Sequence, residues 1–159
     1  MINLNTGTMI NRPVKQVFDF VSTPENDFQW QYGTLAAARL SAGASTSVRG
    51  TFFRSIGHLM GRRVQSTFEV TEHEPNKKYG FKSLSGPFQS RTSYTFEEGR
   101  GFTQMALSTQ VYAINFFQME QGVLKTKMET QLGEDLAMLK DLLEAKQILL
   151  SPEIVLLAE

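Results

Sequence analysis

Between residues 34 and 112 apolar and polar side chains alternate with a period of two, the pattern of half-buried β-strands. Turn residues divide this run into strands expected at 34–40, 48–58, 61–74, 77–85, 88–98 and 101–112. The dividers are Gly43, the Met60-Gly61 corner, Pro75-Asn76, Gly86-Pro87 and Gly99-Arg100-Gly101. Connections this short imply antiparallel neighbours, because parallel strands need long crossovers. Gly50, Gly57 and Gly80 fall inside the expected strands, where a strongly bent sheet places glycine.

The flanks differ from this run. Ile2, Leu4, Thr6, Thr8 and Ile10 alternate mostly with Asn and Gly, which predicts a first strand over 2–11. Pro13 can open a helix because its missing N–H is not needed in a first turn. Val14, Val17, Phe18 and Val21 recur at helical spacing, so a short helix is expected at 13–22, and a second short helix or turn from Pro24 to about Tyr32. Downstream, the chain from Phe116 or Phe117 to about Lys146 has no proline, and Leu124, Met128, Leu132, Leu136, Leu139 and Leu143 form one stripe. Such a helix would reach about 45 Å, enough to cross a small domain. Gly133 interrupts its helix propensity by about 1 kcal/mol relative to alanine, and marks either a bend or a close contact with the sheet. An apolar tail, ILLSPEIVLLAE, follows.

Composition narrows the possibilities. The 159 residues are 41% hydrophobic and 20% charged, which suits one globular domain over 1–147 with the tail 148–159 belonging to it. A net charge of zero argues against a dedicated nucleic-acid binder. Basic residues such as Arg49, Arg62, Arg63 and Lys82 concentrate in 48–100, while acids outnumber bases after 117; a basic sheet rim beside an acidic helix face is the simplest account. The absence of cysteine excludes disulfides, thiolate metal sites and cysteine nucleophiles. With no signal-peptide core and no apolar run long enough for a membrane span, a cytoplasmic protein is expected.

Several strings resemble the START-like (SRPBCC) superfamily, in particular its polyketide cyclase/dehydrase branch. They are the opening NRPVKQVFDFVSTPENDFQW, the strand ending Glu72-His73-Glu74-Pro75, and Ser85-Gly86-Pro87 followed by Tyr94-Thr95-Phe96-Glu97. Gly101-Phe102-Thr103 and the closing Leu139-Lys140-Asp141-Leu142-Leu143-Glu144 complete the series. The sequence departs from the pattern in Phe102 and in the tail after 147. The resemblance implies an α+β helix-grip fold: a curved seven-stranded antiparallel sheet wrapped around the long C-terminal helix, with two short helices between the first two strands. Members bind lipids, sterols, polyketides, plant hormones and quinones, and only some are enzymes, so fold alone does not name a reaction.

On the more apolar sheet face, a pocket against the helix would be lined by Phe68, Phe81, Thr92, Tyr94, Met105, Leu107 and Thr109, with Met128 from the helix. The competing account is ordinary core packing. Trp30, with Tyr32, is expected at the pocket mouth, where a structural anchor is the usual role of tryptophan. Catalytic candidates are few. His73 lies between acids, where solvation is the simpler account; His58 ends a strand and could turn inward. Arg54 and Arg91, if inward, would need an anionic ligand; outward placement is simpler. No ligand spacing supports a metal, and no phosphate-binding glycine loop suggests a nucleotide cofactor, so none is expected. The reading is therefore binding of a small lipophilic or aromatic molecule. The alternatives are a cofactor-free polyketide cyclase or dehydratase using Tyr94, His58 or Arg54, and a co-chaperone-like interaction domain. The tail could dock on a partner, form a homodimer or close over the pocket.

Overall fold

Strand β1 (Ile2–Ile10) leads into helix α1 (Val14–Val21) and a 3-10 helix (Pro24–Gln29). The chain then runs through β2 (Thr34–Arg39), β3 (Phe52–Leu59), β4 (Arg62–Glu74), β5 (Lys78–Ser85), β6 (Phe88–Glu98) and β7 (Thr103–Ile114). Helix α2 (Gln121–Leu149) ends it. The structure is a computed structural model that describes residues 1–40, 48–114 and 119–149. All strand pairs are antiparallel, in the order β1-β7-β6-β5-β4-β3-β2. This is the helix-grip fold expected from the sequence, with the predicted two short helices between β1 and β2.

Local chemistry moves some boundaries. β3 begins at Phe52 rather than 48, because Gly50 lies in a turn with φ +89° that only glycine adopts cheaply. β7 extends to Ile114 and α2 starts at Gln121 rather than 116 or 117. Glu120 fixes that start: its carboxylate accepts the N–H of Gly122 at 2.9 Å and of Val123 at 2.8 Å, two donors a helix leaves without partners. These bonds hold the Glu120 carboxyl below its usual range. At the other end, residues 148 and 149 belong to α2, not to a separate tail. Residues 150–159 lie outside the described residues, and with them the expected docking, dimer and lid roles.

Bulges bend the sheet and reset which side chains face in. Val70 pairs with Phe81, but Glu72 pairs with Gly80 and His73 with Tyr79, so the bulge at Thr71 shifts the alternation by one. His73, expected in a solvated turn, is therefore inside β4, half-buried, with its ring edge-on to Phe18 at 5.3 Å.

Helix α2 is anchored at two places. Near its start Leu124 packs with Ile2, Leu4 and Val111. Further along, Leu136, Leu139 and Leu143 join Ile10, Val17 and Phe18 in the main core. Between these anchors, Met128 and Leu132 stay only half-buried although they continue the same apolar stripe. The helix backbone comes closest to β1, the edge strand, and not to the centre of the sheet. That leaves a gap beneath its middle. Gly133 is exposed, and a Cβ there would meet nothing within 4 Å, so it marks no close contact with the sheet.

Candidate functional site

The gap consists of two adjoining voids that share Leu59, Phe88 and Met128 in their walls. The outer one, about 290 Å³, lies under the first turns of α2 against Leu4, Thr109, Leu124 and Leu132. The inner one, about 310 Å³, reaches across β3 and β4 to Phe53, Phe68 and Phe81. Those three rings form a closed set: Phe53 stacks on Phe68 at 5.0 Å, and Phe81 meets each edge-on at 5.2 Å. Gly57, at the β2–β3 side of the void, sits so close to the Gly33 carbonyl oxygen that a Cβ would collide with it. Glycine lets the two backbones meet there.

Polar groups enter the inner void from three directions. Ser55 and Ser66 face each other across β3 and β4. Asp135 comes from α2. Its carboxylate accepts the Tyr32 N–H at 3.0 Å and Gln131 Nε2 at 2.8 Å, which ties the helix to the loop before β2. Burial raises the Asp135 carboxyl, and these two bonds partly offset the rise. Asp27 comes from the 3-10 helix, and its side chain has no hydrogen-bond partner among the described residues. Burial, and then the charge of Glu25, push its carboxyl well above the usual carboxylate range. Burial acts on Glu25 in the same direction, but bonds from Arg39 outweigh it: the backbone N–H donates at 2.8 Å and Nε at 3.2 Å. Burial and hydrogen bonding thus push the two neighbouring carboxyls in opposite directions.

Beyond Phe81 the aromatic row continues to Tyr79, at 5.6 Å, which stacks on Tyr94 at 6.1 Å. Neither hydroxyl has a hydrogen-bond partner among the described residues. Burial, followed by the nearby Asp27 carboxyl, raises both phenols above their ordinary range.

The sequence-predicted residues divide. Phe68 and Phe81 line the inner void, Thr109 the outer, and Met128 both. Met105 and Leu107 are fully packed core instead. Thr92 Oγ1 lies 3.1 Å from Thr109 Oγ1, so those two hydroxyls satisfy each other. Trp30 is buried in the core and borders, with Tyr32, a depression that shares Gln31 and Thr34 with the inner void. Tyr94 is buried on the inner face. Arg54 is exposed in the outward phase of β3, opposite Thr67 and Ala38, and Arg91 is exposed opposite Lys82. Arg54 lines neither void. His58 shares that outward phase and touches the inner void only at its rim.

Sequence reasoning missed Asp27, Ser55 and Asp135. Asp135 left a trace, since it falls on the buried stripe between Leu132 and Leu139. Asp27 left none, because the 3-10 segment has no period to violate.

No described helix is long and apolar enough to cross a membrane. No curated protein matches the sequence. Among solved structures, a START superfamily protein from Mycobacterium smegmatis superposes with a TM-score of 0.78 at 13% identity, covering 91% of this chain and 99% of its own. The Zhui aromatase/cyclase from Streptomyces sp. R1128 gives 0.72 at 13%, covering 89% and 93%. The di-domain aromatase/cyclase BexL of the BE-7585A biosynthetic pathway gives 0.71 at 15%, covering 96% of this chain and 48% of its own. At these identities the likeness speaks for the fold. The family described as polyketide cyclase/dehydrase and lipid transport matches residues 1–144, nearly the whole chain, and the protein belongs to that family.

Proposed function

We propose that the protein binds a small lipophilic or aromatic molecule in the hollow beneath α2. The observation that carries this reading is the pair of adjoining apolar voids of about 310 and 290 Å³ either side of Met128. Each is near the lower bound of ligand pockets, and each combines apolar walls with a few polar groups. Membership in a family whose description includes lipid transport supports it. The test is native mass spectrometry of the purified protein, followed by denaturation and identification of what is released, alongside binding of aromatic probes in solution. Met128→Trp puts bulk into the wall common to both voids and should weaken probe binding at least tenfold without unfolding the protein. Failure of every lipid, sterol, quinone and polyphenol probe to bind would sink the reading.

A cofactor-free cyclase or dehydratase is the second reading, favoured by the likeness to two aromatase/cyclases and by the polar cluster at the inner void. Of the three side chains the sequence offered for it, Tyr94 alone is buried on the inner face. Holding a flexible chain in a reactive shape is the cavity's contribution, and one weak acid is the chemistry required. Turnover of a poly-β-ketone analogue that survives Tyr94→Phe unchanged would remove Tyr94 from that role.

A further inference from the structure

The antiparallel order gathers several chain reversals at one end of the sheet. β3 ends at Leu59 and β4 starts at Arg62, and β5 ends at Ser85 and β6 starts at Phe88. α2 begins at the same end, where Leu124 packs on Ile2 and Val111. The outer void reaches this end between Leu59 and Met60 of the β3–β4 turn and Leu124 and Lys127 of α2. Met60, Leu84, Tyr112 and Val123 are exposed here, Met60 at 59%. Neither turn holds an acid: Arg62 and Arg63, both exposed, follow Met60 directly, and Lys127 stands across the void from it. None of these three cations is ion-paired among the described residues. Of the acids on this part of α2, Glu120 is committed to the N–H groups of Gly122 and Val123. Glu129 lies two positions beyond Lys127, a spacing that turns it to the other side of the helix. The turns at the opposite end of the sheet mix signs, Glu74 with Lys77 and Lys78, and Glu97 and Glu98 with Arg100.

Met60 is also an unfavourable residue for its turn. Its φ is 53° and that of Gly61 is 80°, the left-handed pair that a two-residue hairpin loop fills best with Asn-Gly. A long apolar side chain adopts this conformation at a cost and here stays mostly in water, so folding does not account for it. We propose that this end of the molecule docks on an anionic lipid bilayer. Met60 enters the boundary between head groups and acyl chains, and Arg62, Arg63 and Lys127 meet lipid phosphates. An apolar tip flanked by unpaired cations has the chemistry of a surface that binds such an interface. The position of the void favours a bilayer over an acidic protein, an argument that rests on the binding reading above: a lipophilic ligand passing between void and hydrocarbon at this end avoids water.

Cosedimentation with vesicles tests the docking. The protein should bind vesicles of equal parts phosphatidylcholine and phosphatidylglycerol, bind phosphatidylcholine alone far less, and come off as salt rises. Arg62→Gln combined with Arg63→Gln should weaken binding roughly thirtyfold. The same double variant should leave aromatic-probe affinity in solution unchanged, since neither arginine lines a void. Met60→Asn suits the turn, so the fold survives, and it should also lower vesicle affinity. Because the chain has no cysteine, a fluorophore attached through Met60→Cys reports on that position alone. Its emission should move to the blue on anionic vesicles, while the same label on Arg100→Cys, at the far end of the sheet, should not respond. Absence of binding to the anionic vesicles would overturn the proposal. Vesicle binding untouched by the arginine and Met60 variants, or equal responses from the two labels, would overturn the assignment to this face. Probe affinity of the wild-type protein is read separately. A protein that binds probes and no vesicles loses the docking and keeps the binding reading, and the reverse result removes the binding reading and keeps the docking.

Discussion

The two halves of α2 carry the same apolar stripe and meet different surroundings. In the C-terminal half, Leu136, Leu139 and Leu143 are 3%, 0% and 1% exposed and interlock with β1 and α1. A polar seam reinforces that end. Glu144 accepts the Asn11 N–H at 2.9 Å and Lys140 Nζ at 2.7 Å, and Arg12 Nε donates to the Leu143 carbonyl at 3.0 Å. In the N-terminal half only Leu124 is fully buried, and Met128 and Leu132 hang over the voids. One half is a joint and the other is a roof. The comparison teaches that an apolar stripe records which face turns inward, not whether anything fills the space beneath it.

Substitutions on the two halves should separate these roles. Leu139→Ala should cost about 2–5 kcal/mol in denaturant unfolding, because a filled site cannot collapse around the deletion. Met128→Ala should cost well under half as much and change probe affinity instead. Equal costs for the two would break the comparison. Next in size, Gly57→Ala should destabilise by about 1–3 kcal/mol, since the new methyl strikes the Gly33 carbonyl, which is backbone and cannot swing aside. It should also disturb the hollow side alone, which amide exchange in β2 and β3 would show.

Asp27→Asn should stabilise the protein at neutral pH, with Tm rising by roughly 2–4 °C, the size expected of ~1 kcal/mol in a chain of this length. The sign follows from proton linkage. The folded state holds the Asp27 proton to higher pH than the unfolded chain does, so stability falls as pH rises from the ordinary aspartate range through the folded pKa. The advantage of the variant should therefore vanish near pH 4 in melts run across that range; a constant advantage would mean that Asp27 is not the group titrating. Smallest of all, Gly133→Ala should add up to about 1 kcal/mol, because its Cβ points into open space and only helix propensity changes. A loss at that position would show that α2 needs to bend there.

Most of the architecture was legible in the pattern because periodicity is local. Strands β4 to β7 alternate, α2 repeats at three and four, and Met60-Gly61 and Gly86-Pro87 turn the chain where expected. The site was legible only in part. Phe68, Phe81, Thr109 and Met128 follow from alternation and the stripe, whereas Met105 and Leu107 satisfy the same rule and are solid core. The bulge at Thr71 turned His73 inward, and a one-residue register shift has no periodic signature of its own.

The sequence by itself thus determined the order of elements, their faces, and the family the chain belongs to, because those depend on residue spacing within single segments. Tertiary structure alone decided where the helix stands off the sheet, and that Asp27 of the 3-10 helix and Asp135 of α2 border the same void. Those residues are far apart in sequence, and the burial that raises both carboxyls arises only when separate elements enclose one space.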